Sequence, residues 1–217
     1  MVHQLLTNTS EDDDSIDIRP LFNIDTSSVN VAPATYTVSY YDSYDETTKT
    51  YGTHIVNKDT KVAENSSLSS ISGASLPTSA DFTVPSGKFI DKWYYIPSDT
   101  GIATEFTTAT KIKEDTKVYA TYVNGHTVTF NSNYPSGTQT TKDVTVSPKA
   151  GATIAETQKP TVGKSSDDFE IPAGYTFDGW FTQQNGGDKI VFDDGTNTSS
   201  ATDVSSITDV MLIGYRM

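Results

Sequence analysis

Residues Pro172-Ala173-Gly174-Tyr175-Thr176-Phe177-Asp178-Gly179-Trp180-Phe181 decide the reading of this chain, because the pattern occurs twice. The earlier copy is Pro85-Ser86-Gly87-Lys88-Phe89-Ile90-Asp91-Lys92-Trp93-Tyr94, and the tryptophans are 87 residues apart (180 − 93). Each copy opens on a Pro-x-Gly turn signal and runs into an aromatic stretch around its tryptophan. The chain has two tryptophans in all, and both fall at the same place in this motif. An internal repeat is therefore the first organisation to test.

Further landmarks flank the motif in the same order. Upstream, Tyr36-Thr37-Val38-Ser39-Tyr40 matches His126-Thr127-Val128-Thr129-Phe130 at an offset of 90 (126 − 36). Downstream, Asp115-Thr116-Lys117-Val118-Tyr119-Ala120 matches Asp209-Val210-Met211-Leu212-Ile213-Gly214 at an offset of 94 (209 − 115). Drifting offsets with a fixed order describe one repeat with loop insertions. Short runs in which Thr, Val, Tyr and Ile alternate with polar residues, divided by Gly, Pro, Asn and Asp, predict strands. Lys142 to Ser147 is another such run and stops before Pro148. The best helical candidate is Thr60 to Ile71, with Val62, Leu68 and Ile71 apolar, and its serines weaken it.

These landmarks resemble the Listeria–Bacteroides repeat, also called the internalin B-repeat. That family opens on a strand like Tyr-Thr-Val-Thr-Phe, continues through a Pro-x-Gly-Tyr-x-Phe-x-Gly-Trp-Tyr core and a Gly-rich turn, and closes on Leu-Tyr-Ala-x-Trp/Phe. The second copy keeps the core motif, the Gly186-Gly187 turn and Phe192. The first keeps the closing strand, Val118-Tyr119-Ala120-Thr121-Tyr122. It departs at Lys92, where the family has Gly, and in a longer middle segment from His54 to Val84. The resemblance spans residues 35–217. It implies a β-grasp-like sheet with the aromatic strand crossing its middle, in an adhesion or stalk element of a bacterial extracellular protein.

The expected fold is mainly β (a β-rich α+β class): two tandem β-grasp-like repeat domains with little helix. They occupy 35–123 and 124–217 and meet at Asn124-Gly125. Residues 1–34 stand outside both copies. There, Glu11 to Asp14 is an acidic run that reads as a solvated loop. Ser15 to Phe22 alternates like a strand. It is either the closing strand of a preceding repeat or an arm that adds to a neighbour's sheet edge by strand exchange.

A repeat of this size has a thin core and needs a few large side chains to close it. The candidates are Phe89, Trp93 and Tyr119 in the first copy and Phe177, Trp180 and Phe192 in the second, with Tyr94 and Phe181 flanking the tryptophans. Val38, Val56, Val62, Val84 and Val118 would complete the first core; Val144, Val146, Ile154, Ile171 and Ile190 the second. Tyr40, Tyr41, Tyr44 and Tyr51 read differently. Alternate members of such a run must point outward, so this group forms a candidate contact face.

Fifteen Lys and Arg against 28 Asp and Glu give a net charge of −13. Nucleic-acid binding calls for a basic face, and none is visible. No stretch approaches the apolar length of a membrane span, and an anionic lipid surface is disfavoured by charge. Neither a nucleic-acid partner nor membrane insertion is expected. The absence of cysteine excludes disulfides, thiol catalysis and thiolate metal sites. His3, His54 and His126 are not at metal-ligand spacing. No nucleophile elbow, phosphate loop or dinucleotide fingerprint occurs. Asp193-Asp194-Gly195-Thr196-Asn197 lacks the spacing and closing Glu of a calcium loop and reads as an Asp-Gly turn. No catalytic residue, cofactor or metal is therefore expected.

Acidic, Ser/Thr-rich and Tyr-rich composition suits exposure outside a cell. The opening Met1-Val2-His3-Gln4-Leu5-Leu6 lacks the basic and apolar regions of a signal peptide. That fits either a piece of a longer exported protein or a virion protein exposed after assembly. The expected function is a non-enzymatic, surface-displayed repeat that contacts a protein or glycan on a host or neighbouring surface, located extracellularly or at the cell surface. Two alternatives stay open: a phage virion protein (capsid decoration or fibre, on the virion surface) and a carbohydrate-binding module.

Overall fold

The computed structural model describes residues 32–134, 138–184, 187–196 and 198–216. The alternating segment Ser15 to Phe22, Gly186 and Asn197 lie outside the described residues. The architecture is mainly β, with helical turns confined to short 3-10 pieces.

In the first half the strands are β1 (Thr35–Tyr41), β2 (Tyr44–Asp45), β3 (Thr50–Tyr51), β4 (Thr60–Ala63), β5 (Lys88–Tyr95), β6 (Thr104–Phe106) and β7 (Thr116–Asn124). They form a mixed sheet in the order β4-β1-β7-β5-β6, with β2 and β3 as a separate hairpin. In the second half they are β8 (His126–Asn131), β9 (Thr141–Val146), β10 (Val162–Gly163), β11 (Phe169–Glu170), β12 (Tyr175–Phe181) and β13 (Asp209–Arg216). The main sheet there runs β12-β13-β8-β9.

The two sheets share one plan. The opening strand lies parallel to the closing strand at the centre, as β1 with β7 and β8 with β13. It pairs antiparallel with the second strand on its other side, as β1 with β4 and β8 with β9. The tryptophan strand runs antiparallel to the closing strand, as β5 with β7 and β12 with β13. In the first half β6 adds an edge beyond Trp93. In the second half that edge shrinks to a bridge between Phe181 and Lys189, with Ile190 donating its amide to the Trp180 carbonyl (2.8 Å). This parallel centre flanked by antiparallel partners is a β-grasp-like order.

Register places the closing strands at an offset of 92, from Ala120 opposite Trp93 to Leu212 opposite Trp180 (212 − 120). The parallel pairing agrees: Tyr40 faces Val118, and its counterpart Phe130 faces Val210. The expected offset of 94 is thus two residues out. A slip of two keeps every side chain on the same face of the sheet, so alternation alone carries no signal against it.

The weak helical candidate Thr60 to Ile71 is a strand followed by a short turn. Thr60–Ala63 is the edge strand β4, with Val62 fully buried. The chain then turns at Asn65 (φ 59°) and makes a single 3-10 turn over Leu68–Ser70, which sinks Leu68 into the core. Thr and Val lose rotamer freedom in a helix, and serine side chains compete for the backbone there.

Each sheet has its own hydrophobic cluster. One gathers Val38, Tyr40, Ile55, Val62, Leu68, Trp93, Phe106, Ile112, Val118 and Ala120. The other gathers Val128, Phe130, Val144, Val146, Ile154, Phe169, Trp180, Ile190 and Val204. Trp93 meets Tyr40 edge-on at 5.7 Å, and Trp180 meets Phe130 edge-on at 4.8 Å. Edge-to-face contact of this kind adds to the area that the rings bury. Phe177 and Phe192 are partly buried and pack against the second cluster. Val84 and Ile171 are half-buried.

Several expected placements are corrected. Tyr40 is not on the contact face: it is fully buried in the first core, because the inward phase of β1 falls on Val38 and Tyr40. Tyr119 is buried but on the opposite face of its sheet from Val118 and Ala120, which supply the core. Phe89 is half-buried and belongs to neither cluster. Val56 is 67% exposed, and Ile55, whose amide bonds to the Tyr40 carbonyl (2.8 Å), takes the core position instead.

Candidate functional site

Strand alternation sends Tyr40, Trp93 and Ala120 inward, so their neighbours Tyr41, Tyr94 and Tyr119 point the other way. Tyr41 is the register partner of Tyr119 on one side, and Tyr94 is its partner on the other. The three tyrosines therefore form one rung across β1, β7 and β5, on the outer face of the first sheet. His54 extends it: it bridges to Tyr41, and the two rings stack at 5.0 Å.

The β2–β3 hairpin folds over this rung. Tyr44 and Tyr51 are cross-strand partners. Tyr44 stacks on Tyr119 at 4.9 Å, and Tyr51 lies 4.9 Å from Tyr41 and 6.1 Å edge-on to Tyr119. Tyr94 stacks on Tyr119 from the far side at 6.2 Å. The hairpin turn is held by the Asp45 carboxylate, which accepts the amides of Thr47 and Thr48 (2.7 and 3.1 Å). Those bonds hold Asp45 below its ordinary carboxyl range. Lys117 Nζ stands over the Tyr51 and Tyr41 rings at 5.4 and 5.9 Å, within cation–π reach.

The outcome is a half-buried tyrosine cluster outside the main core, with Tyr119 as its covered centre. Burial first, then the Glu46 carboxylate and the neighbouring phenols, pushes the Tyr119 phenol up. Burial and the adjacent tyrosines do the same for Tyr51. An open depression of about 490 Å³ lies beside the cluster, with Tyr44, Tyr94 and Tyr119 against Ser43, Glu46 and Thr121. Tyr122 closes one side, donating from its hydroxyl to the Asp42 carbonyl (2.6 Å). Its phenol is pushed up to about 12 by burial and by Asp42. Flat ring faces beside hydroxyls and carboxylates can stack against sugar rings or partner side chains and donate or accept hydrogen bonds.

Of the four tyrosines expected at a contact face, Tyr41, Tyr44 and Tyr51 meet here, and Tyr40 does not. Tyr94 and Tyr119 also belong here, although the sequence reading assigns both to the first core. The signal was present: each is adjacent to a residue read as core, Trp93 or Val118, and alternation turns it outward.

Two polar groups singled out in the sequence serve the structure of the second half. Asp193 accepts from the Gly195 amide (2.8 Å) and from the Thr153 hydroxyl (3.0 Å), which makes the acidic loop a turn. His126 donates from Nε2 to the Ile207 carbonyl (2.7 Å). Among the described residues, no group of three or more His, Asp or Glu is arranged to hold a metal ion. No described helix is long and apolar enough to cross a membrane. No known protein family, curated protein or solved structure matches the chain.

Proposed function

We propose that the chain is a non-enzymatic display module, in which two β-grasp-like repeats hold a tyrosine face for contact with a protein or glycan on a neighbouring surface. The setting in this reading is extracellular, on a cell or virion surface, and the module acts as an adhesion or spacing element. The resemblance to the Listeria–Bacteroides repeat supports it, as does the β-grasp-like order. The observation that carries it is the rung Tyr94–Tyr119–Tyr41 with the Tyr44–Tyr51 cover. These rings lie outside both hydrophobic clusters on one side of a sheet, with Tyr119 buried beneath its half-buried neighbours. Tyrosine is enriched at contact surfaces because one side chain offers rigid apolar area and a polar tip.

A glycan array and a panel of intact bacterial and animal cells are the probes. The unsubstituted chain is expected to bind a subset of them. Tyr44→Ser combined with Tyr94→Ser is expected to abolish that binding while circular dichroism stays unchanged. Binding that survives the double substitution, or no binding to any probe, contradicts the reading.

A further inference from the structure

Each tryptophan strand is broken by a bulge at the same place. Register shifts between Ile90 and Trp93 on β5, and between Phe177 and Gly179 on β12. A bulge leaves backbone groups outside the ladder, where other donors reach them. On β5 the exposed carbonyls are those of Ile90 and Asp91. Lys149, from the turn after β9 in the second half, donates from Nζ to both, at 3.1 and 2.5 Å. The same ammonium lies 3.2 Å from the Asp91 carboxylate. On β12 the matching aspartate is Asp178. Lys189 donates to its carbonyl at 2.6 Å and lies 3.7 Å from its carboxylate.

Bulge, aspartate and lysine thus recur in both repeats, but the lysine has different origins. Lys189 belongs to the same repeat as its bulge; Lys149 comes from the following one. Two positions differ between the repeats: the residue after the aspartate and the one that supplies the lysine. At Gly179 an added Cβ would fall 2.4 Å from Lys189 Cε, so the missing side chain is what gives Lys189 its path. The first repeat has Lys92 there, whose own Nζ turns away to Glu105 (2.7 Å). The position matching Lys189, which lies opposite Phe181, is Glu105, which lies opposite Tyr94, so the first repeat has no lysine of its own there. The bulge of the first repeat is left for a lysine arriving from outside.

The rest of the junction is as close. The Gly125 amide donates to the Gly87 carbonyl (2.7 Å). A Cβ at Gly125 would lie 2.3 Å from Thr145 Cγ2 and 2.9 Å from Phe89 Cε2. Phe89, absent from both cores, therefore lies at the joint.

We infer that the β5 bulge is a socket by which one repeat grips the next, taking Lys149 of the second repeat on Asp91 and its backbone carbonyls. The grip holds the two halves in one relative orientation. In the second repeat Gly179 and Lys189 close the equivalent socket from within. This inference stands apart from whatever the tyrosine face binds.

The chain has no cysteine, so Ala109→Cys and Ser166→Cys, both exposed positions, accept a unique pair of spin labels. Electron–electron resonance on the otherwise unsubstituted chain is expected to give one narrow distance distribution. Lys149→Met and, separately, Asp91→Asn are expected to lose that single peak to a broad distribution, with circular dichroism unchanged. Lys149→Arg is expected to keep it. A broad distribution in the unsubstituted chain, or an unchanged narrow one in both Lys149→Met and Asp91→Asn, overturns the inference.

Discussion

At the scale of single residues, the two copies check one another. Tyr40 and Phe130 take the same place against their tryptophans, yet only Tyr40 carries a hydroxyl, and that oxygen is buried without a hydrogen-bond partner among the described residues. An unsatisfied buried hydroxyl costs about 1–3 kcal/mol. Tyr40→Phe, which copies the second repeat, is therefore expected to stabilise the first repeat by about 1 kcal/mol. Its melting temperature, read by circular dichroism, should rise. Tyrosine ionisation gives a second check. Burial raises the phenols of Tyr40 and Tyr122, the latter to about 12. A raised folded value means stability that is complete below the ordinary tyrosine value of about 10 and is lost as pH climbs through the folded value. Absorbance at the tyrosinate band reports when these phenols ionise. That should occur only as the near-ultraviolet dichroism collapses. Coincident titration of every tyrosine in the folded chain would contradict the burial of Tyr40.

At the scale of elements, the strands were legible because alternation reports burial directly: Val38 and Tyr40 inward, Thr37 and Ser39 outward. The tryptophan landmarks likewise located β5 and β12. What escaped was of three kinds. Phase was misjudged around Tyr40 and Tyr119, because a tyrosine suits either face and only its neighbours decide. The closing strand was set two residues out, since such a slip preserves alternation. Phe106, Ile112, Phe169 and Val204 enter the cores as isolated apolar residues in polar stretches, where no periodicity marks them. The tyrosine face was half legible: the run from Tyr40 to Tyr51 marked it, but the hairpin that folds Tyr44 and Tyr51 over Tyr119 is a tertiary event. The close contact at Gly125 and the ion pair of Lys189 belong to this scale too. Gly125→Ala forces a Cβ onto Thr145, Phe89 and the Gly87 backbone, and is expected to cost about 1–3 kcal/mol by chemical denaturation. Lys189→Met removes a half-exposed ion pair and is expected to cost less than about 1 kcal/mol. Equal costs would mean that the joint is not closely packed.

At the scale of the whole molecule, two small cores and two similar sheets replace one large core, as the low apolar content requires. The strong negative charge lies over a framework whose ion pairs are largely at the surface, so packing around the tryptophans carries most of the stability. The most direct test is hydrogen exchange on the full chain carrying Trp180→Ala, a truncation that commonly costs ~3–5 kcal/mol. The account predicts that amides of β8, β9 and β12 lose protection, while those of β1, β5 and β7, which support the tyrosine face, keep it. Loss of protection across all strands together, or across none, would contradict a chain built from two repeats that each close around a tryptophan.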